Sequence, residues 1–244
     1  MTIRVIVNGA AGKMGQLCVK AVSDDADLIL AGQTGRKEDL TAEIKKNQAD
    51  VVIDLTNAES VLKNLQLIIE AGARPVIGTS GLLKDQVDAM QKKYSHLKRG
   101  GIIAPNFALG AVLMMKHAKE MAKYFSSVEI IEMHHDRKLD SPSGTAVRTA
   151  EMLSETLGSP DHTLTTKEII SGARGATYQD IHIHAIRLPG LVAHQQIIFG
   201  SLGETLTIRH DTIDRLCFMP GIMLACKKVM TLNHLVYGLE NILS

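Results

Sequence analysis

The densest run of reactive side chains is Glu132-Met133-His134-His135-Asp136-Arg137-Lys138-Leu139-Asp140, followed at once by Ser141-Pro142-Ser143-Gly144-Thr145-Ala146. Two imidazoles, a guanidinium and an ammonium stand together at the end of a strand-like segment. Imidazole takes up and gives back a proton near neutral pH. A Ser-Gly-Thr step that opens a helix presents free backbone N–H groups, and with an ammonium nearby these suit carboxylates. The segment therefore offers proton transfer beside a small anion site. One such histidine alone would be explained as a polar surface residue; the cluster is not.

A second chemical segment lies near the start of the chain. Gly9-Ala10-Ala11-Gly12-Lys13-Met14-Gly15 follows a β-branched run and opens a helix-like stretch. A glycine turn in that place lets the backbone approach a pyrophosphate, whose charge rests on the helix N-terminus. The spacing is GxxGxxG rather than GxGxxG, and a purely structural turn would use glycines too. Its place between strand and helix favours the nucleotide. A site for NAD usually carries Asp or Glu at the end of the second strand. Here that turn is Gln33-Thr34-Gly35-Arg36-Lys37, with no carboxylate between Asp27 and Glu38. Arg36 and Lys37 are either solvated turn residues or the holders of a 2′-phosphate. On the second reading NADPH is used at least as well as NADH.

These segments need elements to hold them. Up to residue 104, strand-like runs at 2–8, 28–32, 49–54, 75–78 and 101–104 alternate with helical stretches at 13–23, 37–48, 59–71 and 84–94. Such alternation means βαβ units and an open parallel sheet. Right-handed crossovers gather the loops after each strand on one edge. Beyond 104 the pattern changes. A helix at 109–124, a strand at 128–134 and a helix at 145–157 precede alternating segments at 181–187, 195–199 and 204–210. The last 25 or so residues read as helical and apolar. The fold class expected is α/β: a Rossmann-like parallel-sheet nucleotide-binding domain, residues 1–105 plus 216–244. Into it is inserted an α+β substrate and oligomerisation domain, residues 106–215. Gly100, Gly101 and Gly110 are either flexible points or ordinary turns.

Composition narrows the function classes. The chain has 244 residues, 45% of them apolar, and Lys plus Arg (27) nearly balances Asp plus Glu (26). No basic stripe is present for nucleic acid, and 3% aromatic content gives no base-stacking platform. No apolar run is long enough for a membrane span, and no signal-like segment opens the chain. Cys18, Cys217 and Cys226 form no CxxC pair, so reduced, mostly buried thiols and a cytoplasmic location are expected. His182 and His184 share one face of a strand, a spacing that metals use, but no Cys or carboxylate trio accompanies them. No metal is expected, and His96, His117, His162 and His234 read as surface residues.

The histidine segment resembles the E-x-H-H-x-x-K-x-D-x-P-S-G-T motif of the 4-hydroxy-tetrahydrodipicolinate (dihydrodipicolinate) reductase family, and the resemblance runs through nearly the whole chain. Gly9 to Gly15 is similar to the family's glycine loop. Asp54-Leu55-Thr56 resembles its D-F-T turn, Gly78-Thr79-Ser80-Gly81 its G-T-T-G, and Ala104-Pro105-Asn106-Phe107 the loop that closes on nicotinamide. Ile186-Arg187, Arg209-His210 and Arg215 also fall in order. Where the family has V-G-E-H, this chain has Val192-Ala193-His194-Gln195, which leaves the role of His194 open. The resemblance implies His134 as general acid/base and Lys138 as proton donor. It implies His135, Ser143, Gly144 and Thr145 at the substrate carboxylates. At an NADPH or NADH cofactor it implies Gly9, Ala10, Ala11, Gly12, Lys13 and Met14, Gly78, Thr79 and Ser80, and Ala104, Pro105, Asn106 and Phe107. To these the phosphate reading adds Arg36. The implied partners are a small dicarboxylate and copies of the same chain in a homotetramer. Two other readings compete. A semialdehyde dehydrogenase would need a reactive Cys beside a base, and neither Cys217 nor Cys226 lies near such a motif. A non-catalytic NAD(P)-sensing module would make His134 and Lys138 dispensable.

Overall fold

The computed structural model describes residues 2–79, 81–157 and 167–243. In chain order its main elements are β1 (Ile3–Asn8), α1 (Lys13–Asp24), β2 (Leu28–Thr34), α2 (Leu40–Lys46), β3 (Val51–Asp54), α3 (Val61–Glu70), β4 (Arg74–Ile77), α4 (Lys84–Tyr94), β5 (Gly101–Ile103), α5 (Leu109–Met121), β6 (Ser127–His134) and α6 (Gly144–Ser154). There follow β7 (Ala176–Tyr178), β8 (Ile181–Arg187), β9 (Ala193–Ser201), β10 (Glu204–Thr212), α7 (Met219–Lys228) and β11 (Leu235–Tyr237). They form two units, Met1–Leu109 with Arg215–Ser244, and Gly110–Asp214.

The first unit carries a six-stranded sheet in the order β11-β5-β4-β3-β1-β2. Every pair in it is parallel. Strands covered on both faces read as unbroken apolar runs, and Val5, Ile6 and Val7 of β1 and Val51, Val52 and Ile53 of β3 have no exposed surface. The order in which strands are added reverses at β1, with β2 on one side of it and β3 on the other. In doubly wound sheets the ligand crevice lies outside the strand carboxyl ends at such a point. The glycine turn leaves β1 there.

Local chemistry moved three expected boundaries. β2 runs on to Thr34 because Val7 and Asn8 of β1 pair with Gln33 and Thr34. The helix expected from residue 37 starts at Leu40, where the Asp39 carboxylate accepts the Ala42 N–H at 3.1 Å and caps it. The closing stretch is not all helix: after α7 the chain returns as β11 and pairs with β5. Three apolar residues carry no period that separates strand from helix.

The second unit is a mixed five-stranded sheet in the order β10-β9-β6-β8-β7. Only β6 and β8 are parallel neighbours. The short edge strand β7 was not foreseen. One face is covered by α5 and α6: Met114, Ala118, Ala146, Ala150 and Leu153 pack on Val128, Ile130, Ile183, Ile197 and Phe199. Strand alternation puts Glu132 and His134 on that same face of β6, after Val128 and Ile130. The covered face thus begins as hydrocarbon and ends in ionisable groups.

Candidate active site

Glu132 has no exposed surface, and its carboxylate is saturated. Oε2 lies 2.6 Å from His134 Nδ1 and accepts from Arg187 Nη1 at 2.7 Å. Oε1 accepts from Arg187 Nη2 at 2.7 Å and from the Ser143 backbone N–H at 3.0 Å. Burial alone would raise this carboxyl. The hydrogen bonds from His134 and Arg187 outweigh it and bring the pKa down to about 2. Arg187 is held above its ordinary value by the same hydrogen bond. Sequence alone assigns neither Glu132 nor Arg187 a role. A usable signal was present: a glutamate two residues before a histidine on a strand shares its face.

The other expected residues of this unit gather on the loop after β6 and at the start of α6. Lys138 Nζ donates to both carboxylate oxygens of Asp140, at 2.7 and 2.6 Å, and that contact holds the Asp140 carboxyl below its ordinary value. Arg187 Nη2 also donates to the Asp140 carbonyl at 2.8 Å. His135 Nδ1 is buried and has no hydrogen-bond partner among the described residues. Ser143 is the N-cap of α6: its hydroxyl oxygen accepts from Ala146 N–H at 3.2 Å. A Cβ on Gly144 would meet nothing within 4 Å, so the space at that helix start is open.

His194 now has an assignable contact. Its Nε2 accepts from the Val192 N–H at 3.2 Å, so Nδ1 carries the proton and donates to Asp211 at 2.7 Å. It clips β9 to β10. His184 meets Glu129 at 2.8 Å and His182 meets Thr177 at 3.3 Å. Among the described residues no group of His, Cys, Asp and Glu is placed to hold a metal ion. Nor is any helix there long and apolar enough to cross a membrane.

In the first unit the glycine turn is sterically specified. Gly9 has φ of +86°, and a Cβ on Gly15 would stand 2.1 Å from the Gly9 carbonyl oxygen. Gly12 is the N-cap of α1 with no side-chain cap, so the first-turn amides remain free for an anion. The donors present therefore fit the pyrophosphate of a pyridine nucleotide. Ala11, Gly12 and Lys13 are exposed, Met14 is half-buried and Ala10 is buried.

Beneath this turn lies a second buried carboxylate, Asp54. Oδ2 accepts from Asn8 and Asn64 amides at 2.9 and 2.8 Å. Oδ1 accepts from the Thr56 and Thr79 hydroxyls at 2.7 and 2.6 Å. Asn8 in turn accepts from the Thr34 hydroxyl at 2.9 Å. Thr79 thus gives its only hydroxyl proton to Asp54, and its oxygen accepts the Thr56 N–H at 2.8 Å. The Thr79 side chain therefore has no proton left to donate to a ligand. Ala104 and Phe107 are buried, and Phe107 packs against Gly78. Pro105 is exposed, and Asn106 accepts from the Ala108 N–H at 2.8 Å. Ser80 and His162 lie outside the described residues. At the β2 turn Arg36 is exposed. The Glu38 carboxylate, which sequence order places beyond the turn, folds back to accept the Gly35 N–H at 2.8 Å.

The parallel sheet with its glycine turn at the β1–β3 switch point defines the doubly wound, dinucleotide-binding class of protein. Residues 3–107 match the family model for the N-terminus of dihydrodipicolinate reductase, and residues 110–243 match that for its C-terminus. The chain is 54% identical over 243 residues to the 4-hydroxy-tetrahydrodipicolinate reductase of Coxiella burnetii (strain Dugway 5J108-111), covering 100% of both. It is 52% identical, again covering 100% of both, to the enzyme of that name from Legionella pneumophila (strain Philadelphia 1). Among solved structures, a dipicolinate-bound dihydrodipicolinate reductase from Paenisporosarcina sp. TG-14 superposes with a TM-score of 0.87 at 43% identity, covering 100% of both chains. An amine dehydrogenase from Mycobacterium smegmatis shares the fold at 11% identity and TM-score 0.65, over 98% of this chain and 96% of that one. The chain belongs to the dihydrodipicolinate reductase family.

Proposed function

We propose that this protein reduces 4-hydroxy-tetrahydrodipicolinate, via dihydrodipicolinate, to tetrahydrodipicolinate in lysine and diaminopimelate biosynthesis, with NADPH or NADH as reductant. The observation that carries the reading is the shared anchor of two functions. Glu132 bonds His134, a group able to move protons, and the Ser143 N–H at the anion-binding start of α6. A cyclic dicarboxylate needs both.

The bound dihydronicotinamide supplies hydride. The protein's own task is to hold the dicarboxylate and to deliver a proton to the carbon next to the one reduced. In this reading the Ser143 hydroxyl, the Gly144 and Thr145 amides, the Thr145 hydroxyl and the His135 ring hold the carboxylates. Lys138 exchanges Asp140 for the substrate, stabilises the negative charge that develops and donates the proton. His134 serves as acid/base, with Nε2 as the exchanging atom. Gly9, Ala10, Ala11, Gly12, Lys13 and Met14 hold the pyrophosphate. Gly78, Thr79 and Ser80, with Ala104, Pro105, Asn106 and Phe107, contact the cofactor toward its nicotinamide end. Arg36 meets a 2′-phosphate, so NADPH is used at least as well as NADH. A cytoplasmic homotetramer completes the proposal; the sheet face of the second unit that α5 and α6 leave open is where copies would meet.

The test is oxidation of NADPH when freshly generated substrate precursor is added to the purified protein. Turnover is expected. Its absence with both NADPH and NADH would overturn the reading and favour a nucleotide-sensing module.

A further inference from the structure

His134 has two ring nitrogens, and acid/base chemistry needs one of them presented to the substrate with a defined proton. Glu132 determines which. A carboxylate only accepts, so the 2.6 Å contact requires the proton on His134 Nδ1. Nε2 of the neutral ring is then the free lone pair.

The carboxylate itself is held rigidly. Arg187 grips both of its oxygens, a planar fork on a planar anion. Each Arg187 Nη group has a further acceptor: Nη1 the Ile186 carbonyl at 2.8 Å and Nη2 the Asp140 carbonyl at 2.8 Å. With those contacts the Nη groups bind within the chain. Through Asp140 the same guanidinium reaches the partner of Lys138, and through Ser143 the same carboxylate reaches α6.

We infer that Glu132, clamped by Arg187, is a positioning residue that fixes the Nδ1–H tautomer of His134 and sets the ring, the Lys138 loop and the start of α6 in one geometry. The inference rests on the reductase reading for its effect on turnover. Its effect on the histidine does not depend on that reading.

Glu132→Gln tests it. The side chain keeps its shape, but its amide must now turn a donor toward His134 or toward Arg187. In uniformly ¹⁵N-labelled protein, His134 is expected as the Nδ1–H tautomer in the wild type and as a mixture or the Nε2–H form in the variant. Turnover is expected to fall roughly 10-fold or more, with cofactor affinity unchanged, less than the roughly 10²-fold scale for loss of an acid/base group. Arg187→Lys keeps the charge and loses the fork. It is expected to lower kcat and raise the substrate KM together. A purely structural Glu132 would lower thermal stability and leave the tautomer and the kcat of the folded fraction unchanged. An Nε2–H tautomer in the wild type, or wild-type kcat in Glu132→Gln, overturns the inference. If Glu132→Gln does not fold, the wild-type tautomer and the Arg187→Lys kinetics decide it. A wild type without reductase activity but with Nδ1–H on His134 sinks the reductase reading and leaves the positioning role standing.

Discussion

Two buried carboxylates, one in each unit, solve the same problem with different partners. Asp54 is satisfied by Asn8, Asn64, Thr56 and Thr79, all neutral donors. Glu132 is satisfied by an arginine, a histidine and a backbone amide. A buried anion is costly unless hydrogen bonds replace its water, and both sets do so. They differ in what else they can do. Neutral donors hold the ends of β1, β3 and β4 together, and Asn8 extends the network to β2. That serves a nucleotide site, which must keep its shape while the chemistry happens elsewhere. Charged partners hold shape and also fix where a proton resides, which suits the unit proposed to move protons.

The largest expected effect tests the proton-moving side. His134→Gln should lower kcat by roughly 10²-fold or more, the scale for a lost acid/base group. The dissociation constant for NADPH should stay nearly unchanged, because the proposed nucleotide loops lie in the other unit. Wild-type turnover would remove His134 from the chemistry. Next is Lys138→Met, expected to damage kcat at saturating substrate with some rise in KM. A rise in KM alone would make Lys138 an anchor for a carboxylate and assign the proton to another group.

The neutral network should fail in a different way. In Asp54→Asn one amide faces donors on Asn8, Asn64, Thr56 and Thr79, so at least one donor loses its acceptor. The cost of a buried unsatisfied group is about 1–3 kcal/mol. We expect a lower Tm and a rise in KM for NADPH and NADH by the same factor, with kcat at saturation little changed. A change in kcat alone would erase the contrast between the two carboxylates.

The smallest effect sharpens the cofactor side. Arg36→Ala should weaken NADPH several-fold and leave NADH almost untouched, since a charge-assisted bond of about 1.5–3 kcal/mol is reduced by exposure and salt. Glu38→Gln should act in the opposite direction, because its carboxylate sits on the Gly35 N–H beside Arg36 and repels a phosphate. The measurement is kcat/KM with both cofactors. Equal changes for NADPH and NADH in these variants would show that the turn does not read the phosphate.

The parallel sheet was legible because its strands carry their burial in composition: Val51 to Ile53 is apolar on both faces. The glycine turn was legible because only glycine fits its geometry, and the histidine segment because its reactive groups are contiguous. What escaped the sequence was contact at a distance. Glu132 meets Arg187 only because β6 and β8 pair in parallel, and no local period announces that pairing. The two threonines and two asparagines around Asp54 come from several segments, each unremarkable alone. Glu38 acts by folding back, which counting positions along a turn does not reveal.

The pairing of β11 with β5 has a consequence for how the protein is made. A ribosome releases residues 1–103, then the whole of the second unit, and only afterwards residues 235–237. Until those last residues emerge, β5 is the rim of a nascent five-stranded sheet, with its backbone N–H and C=O groups unpaired on one side. Such rims recruit other chains. The second unit, contiguous from Gly110 to Asp214, has no such wait and can close as soon as it is synthesised. The unit that begins first can therefore be completed last, after the insert that its sequence encloses.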